Sequence, residues 1–129
     1  MDKRSIREDA SLYFLPIILG NSRPSHSLSM RIFLKYGISS ILLDEKHSVL
    51  DPIDFSSRSE LLSHFDSSAL LCEQLIALAE QRPYTLPILI PCSEEYKKAI
   101  EEQKEVLESF FVISTPETVL LSSPLTAIP

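Results

Sequence analysis

Short, nearly continuous apolar runs alternate along the chain with segments whose apolar positions recur at helical spacing. The runs cover 13–19, 38–43, 86–90 and 110–113. Apolar runs of this length are typical of strands that are buried on both faces of a parallel sheet. A less apolar segment, 60–64, is predicted as one further short strand.

The first helix is predicted over 25–36, where apolar residues recur at spacings of four, one and three. Gly37 follows at the position where a left-handed residue ends a helix. Pro24 suits the first turn, and the hydroxyl of Ser22 or Ser25 is available to cap it.

Two more helices are predicted in the second half of the chain. Segment 67–81 has an unusually wide apolar face, which must be covered on most sides. Segment 94–108 begins after Ser93 as N-cap and has one apolar and one Glu/Lys-rich face, the latter exposed to solvent. Glu94 precedes Lys98 by four residues, which favours an ion pair on the helix surface.

This alternation of strands and helices predicts an α/β fold, a Rossmann-like three-layer sandwich. We expect a mainly parallel sheet of four to five strands with helices on both faces. The domain is predicted over 13–115, after a polar arm at 1–12 and before a Ser/Thr/Pro-rich tail or truncated connector at 116–129. The tail is expected to hold one helical turn at 117–121, and the polar stretch 44–59 to be a long connection, with a turn of helix in its middle.

Composition agrees with one folded domain and narrows its partners. The chain has 129 residues and a formal charge of -6, so nucleic acid is an unfavourable partner. The longest apolar run, Leu12–Leu19, is far shorter than the roughly 20 residues of a membrane span and contains Pro16. We therefore expect a soluble, cytoplasmic protein, an expectation compatible with only two cysteines.

Candidate ligand-binding residues follow two of the predicted strands, because ligands of such sheets bind beyond the carboxyl ends of the strands. The loop at 20–25 leads into a helix N-terminus and carries amide donors and one guanidinium, which suits an anion. The candidates are Gly20, Asn21, Ser22 and Arg23 in this loop, and Cys92 and Ser93 after the strand at 86–90. The alternative remains that Gly20 only makes the turn and Arg23 is solvated, because no glycine-rich phosphate motif is present.

No catalytic constellation emerges, and no catalytic residue is assigned. His26 lies among serines, but the chain has no nucleophile-elbow motif, so a hydrolase triad is disfavoured. Asp44, Glu45 and His47 follow the second strand. At this position a Rossmann domain places an acidic residue that binds a ribose. Cys92 at a helix N-terminus is a candidate for a lowered thiol pKa, whereas Cys72 on an apolar helix face is predicted to be core.

Metal spacing is also lacking among the cysteines and the three histidines, so no metal site is predicted.

Three stretches together resemble a known family. They are the run Pro16–Gly20, the helix end Tyr36–Gly37 with the following Ser40–Leu43, and the later half from Pro87–Tyr96 to Phe110–Ile113. Over roughly residues 13 to 115 the chain resembles the N-terminal (pre-ATP-grasp) domain of ATP-grasp carboxylate-amine ligases of the D-aspartate ligase type.

The resemblance implies an enzyme that activates a carboxylate as an acyl phosphate with MgATP and joins it to an amine. In that family the nucleotide-binding lysines and magnesium-binding acids lie in two later domains. It therefore implies no cofactor in this chain and MgATP for a parent protein. The implied partners are C-terminal ATP-grasp domains of the same parent chain and a small carboxylate or amine substrate, which the turn at 20–23 would face. The tail from Ser114 departs from the family pattern, since a connecting helix would start there.

Two alternatives from other classes stay open at this point. One is a stand-alone, non-catalytic interaction or small-ligand-binding module. In that case the helix at 67–81 would form a homodimer through Leu70, Leu71 and Leu78. The other is a small enzyme that uses Cys92.

Overall fold

The computed structural model describes residues 14–45 and 57–121. Along these ranges the strands are β1 (Phe14–Leu19), β2 (Ser40–Asp44), β3 (Ser57–Leu61), β4 (Leu86–Pro91) and β5 (Val112–Ile113). The helices are α1 (Arg23–Tyr36), α2 (Ser68–Glu80), α3 (Glu94–Glu102), α4 (Lys104–Leu107) and α5 (Pro116–Leu121). The predicted arm at 1–12, the helical turn in the middle of 44–59, and His47 lie outside the described residues.

All strand pairs are parallel, in the order β3-β2-β1-β4-β5. The prediction of an α/β, Rossmann-like sandwich is confirmed, with five strands in the sheet. The central strand β1 pairs with β2 over Ile17–Leu19 and with β4 over Phe14–Leu19. Pro16 is accommodated near the start of β1, where few ladder bonds depend on its missing N–H.

Side chains of the inner strands alternate between two cores, one on each face of the sheet. We call the cluster under α2, α3 and α4 the leucine face; its main members are Ile17, Leu19, Ile41, Leu43, Leu71, Leu75, Leu78, Leu89, Tyr96, Ile100 and Leu107. We call the cluster under α1 and α5 the serine face; its apolar members are Phe14, Ile18, Leu28, Ile32, Leu42, Ile88, Ile90 and Val119. Ser25 and Ser29 of α1 are fully buried on the serine face.

Helix ends follow the sequence signals closely. Gly37 ends α1 with φ of 71°, and its N–H donates to the carbonyl of Phe33. Ser93 caps α3, its hydroxyl accepting from the N–H of Tyr96. Ser22 occupies the N-cap position of α1 without a side-chain cap bond, because its Oγ lies 3.1 Å from Oγ of Ser25 instead.

Strand β3 lies three residues before its predicted position. The sequence favoured 60–64 for its leucines, but β3 is Ser57–Leu61 and is paired in register with β2 from Ser40 to Asp44. An edge strand is held by backbone pairing and needs no second buried face, so apolar content misplaces it. Leu62 is buried just beyond the strand's end.

Three details in the segment from α3 to β5 also differ from prediction. The helix expected over 94–108 is divided into α3 and α4 at Gln103, whose φ of -115° and ψ of 19° are not helical. Glu94 is close to Lys97, at 3.4 Å, rather than to Lys98, because spacings of three and four both bring side chains together on a helix. Strand β5 is shorter than the predicted run 110–113: it consists of Val112 and Ile113, the two residues that pair with β4.

Helix α5 is part of the packed domain, although it begins after the predicted boundary at 115. Val119 is 1% exposed and belongs to the serine face. The hydroxyl of Tyr36 donates to its carbonyl at 2.6 Å, and the ammonium of Lys35 donates to the carbonyl of Leu120. The predicted helical turn at 117–121 is confirmed, and the fold extends at least to Leu121.

The face proposed for a dimer is largely used inside the monomer. Leu71 and Leu78 of α2 are 1% and 9% exposed, whereas Leu70 is 42% exposed. The wide apolar face is wide because it covers the sheet and contacts α3. Leu71 and Leu78 are therefore used by the core, and Leu70 is the exposed member of the three; the homodimer itself stays a prediction.

Candidate functional site

A half-open cavity of about 340 Å³ lies beyond the carboxyl ends of β1, β2 and β4. The turn after β1 contributes residues 20–22 to its wall, and the end of β2 contributes Asp44 and Glu45. Phe65 and four residues after β4, namely Cys92, Ser93, Glu95 and Tyr96, complete it. A volume of this size falls within the range of about 300–1,000 Å³ of small-molecule sites.

The strand order explains why a cavity forms at this place. The chain leaves β1 towards α1 on the serine face, and it leaves β4 towards α3 on the leucine face. The two neighbouring strands therefore send their connections in opposite directions and leave a crevice between them. Two backbone bonds fix its floor: Gly20 N–H donates to the carbonyl of Leu43 at 2.8 Å, and Cys92 N–H donates to that of Leu19 at 3.0 Å.

Gly20 is required by the shape of this turn. Its φ is 118°, a left-handed value that side chains disfavour. A Cβ at this position would also lie 3.3 Å from Oγ of Ser25 and 3.8 Å from Cβ of Cys92. The turn after β1 thus approaches both α1 and the end of β4 as closely as a glycine allows.

Asp44 connects three elements around the cavity. Its Oδ2 accepts from the backbone N–H of Asn21 at 3.0 Å, after β1. Its Oδ1 accepts from the hydroxyl of Tyr96 on α3 at 2.7 Å and from the N–H of Glu45 at 2.7 Å. Three donors on one carboxylate hold the walls of the cavity in a fixed relation.

The side chain of Asn21 is held from both ends. Its amide nitrogen donates to Oγ of Ser59 on β3 at 3.0 Å, and its Oδ1 lies 2.8 Å from Nε2 of His26 on α1. The imidazole ring of His26 is therefore engaged by the side-chain amide of Asn21.

Tyr96 keeps its phenol proton over a wide pH range. Its side chain is 7% exposed, and burial raises the pKa of the phenol. The hydrogen bond to Asp44 and the negative charges of Asp44 and Glu45 raise that pKa further. Tyr96 is thus a permanent donor to Asp44 at neutral pH.

Cys92 is less reactive than its position at a helix start suggested. Burial raises the pKa of its thiol, and the hydrogen bond from Ser25 and the charge of Lys97 lower it by less, with Glu117 raising it. The expectation of a lowered pKa is therefore wrong, because burial outweighs the lowering by Ser25 and Lys97. Cys72 is buried at 5% exposure, as predicted, and burial raises its thiol pKa, as does Glu73.

Five of the six predicted ligand-binding residues meet in the cavity wall. These are Gly20, Asn21, Ser22, Cys92 and Ser93. Arg23 is exposed and does not line the cavity. Arg23 is the first residue of α1 and directly follows the last lining residue of the turn, Ser22. The guanidinium that was expected to bind an anion therefore lies outside the cavity wall.

Sequence reasoning missed the residues that organise the site. The sequence suggests Asp44 only as a possible ribose acid, and it gives Tyr96 no role of its own in the site. The two are 52 positions apart, and their meeting depends on β4 lying beside β1. The tyrosine hydroxyl was the available signal, because a buried tyrosine usually finds a polar partner.

Within the described residues, no group of three or more histidine, cysteine, aspartate or glutamate side chains is arranged to hold a metal ion. None of the helices in residues 14–45 and 57–121 has the length and apolar character needed to span a bilayer.

Comparison with known proteins leaves the site to be interpreted from its own geometry. No protein-family model matches the chain, and no curated protein or solved structure matches it significantly.

Proposed function

We propose that this domain is the N-terminal, substrate-side domain of an ATP-grasp-type carboxylate-amine ligase. In this proposal the cavity at residues 20–22, Asp44 and Tyr96 forms part of the substrate cleft. Later domains of the parent protein would bind MgATP and form the acyl phosphate. The domain is not catalytically competent alone.

The cavity at the β1/β4 switch point is the observation that carries this proposal. The sequence resemblance rests partly on the run Pro16–Gly20, and this run ends in the turn that forms the cavity wall. Open parallel sheets bind ligands at this point of the fold. A substrate-side domain needs a preorganised cleft, and the bonds of Asp44 to Asn21 and Tyr96 supply one.

Positioning is the task that these residues would perform. Holding an amine or carboxylate in the correct orientation lowers the barrier of its reaction, and misplacement by about 1 Å can cost a factor of about 100 in rate. Asp44 and Asn21 each form hydrogen bonds to neighbouring elements, so they would keep the cleft in shape while the substrate reacts.

The test is to read the encoding DNA beyond the codon for Pro129 and to assay the whole gene product for ATP-dependent ligation. We expect an extended frame whose product releases phosphate only when MgATP, a carboxylate and an amine are all present. Asp44→Asn is expected to lower kcat/KM by about tenfold or more through loss of positioning. Asp66→Asn is the matched control, because Asp66 is exposed and does not line the cavity.

A stop codon directly after Pro129 would contradict the proposal, and so would a complete gene product without nucleotide-dependent activity. Either result would favour the second candidate, a stand-alone small-ligand-binding module. One observation supports that candidate: the cavity of about 340 Å³ is large enough for a small ligand. Such a module would bind its ligand equally well with and without MgATP.

A further inference from the structure

Negative charge dominates the cavity wall. Asp44, Glu45 and Glu95 all line it, and no lysine or arginine is among the lining residues within 14–45 and 57–121. A narrow cleft lined by one sign of charge concentrates ligands of the opposite sign. The sequence had suggested an anion here, on the strength of Arg23 and the helix N-terminus.

The backbone donor that an anion would seek in the first turn is already engaged. The N–H of Asn21 donates to Oδ2 of Asp44, so the protein's own carboxylate takes the place of an external anion. Across the cavity the N–H of Tyr96 donates to Oγ of Ser93. A phosphate or carboxylate would have to displace these bonds and approach three acidic side chains.

Among the described residues, neither Lys97 nor the neighbouring His64 lines the cavity. Lys97 on α3 lies 3.4 Å from Glu94 and does not line the cavity. The ring of His64 lies 3.2 Å from Oε2 of Glu45 and is largely exposed. Glu95 is exposed at the mouth of the cavity, and its carboxylate is available to a ligand there.

We propose that the cavity receives the ammonium group of a small amine, held by Glu45 and Glu95 at its mouth and by the polar wall around Asp44. If the proposed function holds, on which this assignment rests, the cavity is the site of the acceptor amine and the carboxylate binds elsewhere in the cleft. Each carboxylate at the mouth can accept from an ammonium, which offers three N–H donors.

The experiment uses three four-carbon probes of matched length: butane-1,4-diamine, butane-1,4-diol and succinate. Each is titrated into this chain at pH 7 and low salt, without nucleotide, while amide chemical shifts are followed by NMR. We expect the diamine to bind at least tenfold more tightly than succinate, with the diol in between. The shifts should be largest at Asn21, Glu45 and Ser93.

Matched variants test whether the acids cause the preference. Glu95→Gln is expected to weaken diamine binding by about two- to fivefold, the range for one exposed ion pair. Glu45→Gln combined with Glu95→Gln should weaken it by more than either alone. Glu102→Gln is the control, because Glu102 is also exposed on α3 but does not line the cavity. Glu95 and Glu102 are exposed, so their single variants should fold normally. Glu45 is half-buried beside His64, so the amide spectrum of the double variant serves as its folding control.

Two results would overturn the assignment. One is succinate or inorganic phosphate binding more tightly than the diamine at the same amides. The other is equal diamine binding in Glu95→Gln and Glu102→Gln. Neither involves ATP, so the result is independent of ligase activity: amine binding without ligation would contradict only the proposed function, and ligation with an anion-selective cavity would contradict only this assignment.

Discussion

The two faces of the sheet are packed in different ways. The leucine face is almost entirely aliphatic between the strands and α2, with Leu75 fully buried at its centre. The serine face is smaller, and Ser25 and Ser29 of α1 are buried within it. Small side chains let a helix approach a sheet closely, and here they bring α1 next to Gly20.

This difference separates stability from shape. Aliphatic burial supplies most of the free energy of folding, so the larger leucine face should dominate stability. The serine face contributes less burial, but it sets the position of the turn after β1 that walls the cavity. Substitutions on the two faces should therefore have different signatures.

The largest effect is expected from Leu75→Ala on the leucine face. Leu75 is 0% exposed, and a buried leucine truncated to alanine typically costs about 2–5 kcal/mol of unfolding free energy. Urea denaturation followed by circular dichroism measures this loss. Leu70→Ala is the control on the same helix, where exposure of 42% limits the cost to about 0.5 kcal/mol. Equal costs at the two positions would break the comparison.

Gly20→Ala is expected to come next, and to affect shape as well as stability. A side chain at φ of 118° is strained by about 1–3 kcal/mol. The new Cβ would also press on Ser25, 3.3 Å away. We expect lowered stability together with altered amide shifts of Asn21 and Cys92 in the folded protein. A destabilised variant whose cavity shifts are unchanged would show that the turn does not set the shape of the site.

Ser29→Ala should have a smaller cost, because it removes one buried hydrogen bond. The hydroxyl donates to the carbonyl of His26 at 2.8 Å, and a neutral bond of this kind contributes about 0.5–1.5 kcal/mol. Ser27→Ala on the exposed side of α1 is the matched control and should change stability little. A stabilised Ser29→Ala variant would mean that the serine face tolerates an apolar replacement and that its polarity is unnecessary.

The fold was predictable because its central strands obey simple rules. The sequence segments that form β1, β2 and β4 are nearly continuous apolar runs, so both faces of each strand are predicted to be buried. Strand β3 reads Ser-Arg-Ser-Glu-Leu and has no such pattern. Its register is fixed by pairing with β2, which local sequence does not encode.

The site was predictable only in part, for a related reason. Loops after strands are visible in the sequence, and five of the six chosen residues line the cavity. The partnership of Asp44 with Tyr96 depends on strand order, which joins distant positions. The sign of the cavity's charge depends on which side chains line it: Glu95 does, whereas Arg23 does not.

Each face also holds one thiol, Cys72 on the leucine face and Cys92 beside the serine face, and these give the smallest expected effect. Burial raises both thiol pKa values above the ordinary value of 9.0. A group whose folded pKa is raised stabilises the folded state below its unfolded pKa, and this contribution is lost as pH rises through the folded pKa.

Unfolding free energy should therefore be flat from pH 7 to about 8 and fall above about pH 9, where unfolded cysteine ionises. Tyr36 and Tyr96 also have raised pKa values, so the wild-type slope alone does not isolate the thiols. The contribution of each thiol is isolated by comparing Cys92→Ala and Cys72→Ala with wild type at pH 7 and pH 10. In each variant the fall in unfolding free energy should be smaller by the part that its own thiol contributes. The serine face adds one distinction: the bond from Ser25 lowers the pKa of Cys92, whereas burial and Glu73 both raise the pKa of Cys72. Ser25→Ala should therefore steepen the decline through Cys92 alone, and a slope that changes equally in the Cys92→Ala background would show that Ser25 acts by packing instead.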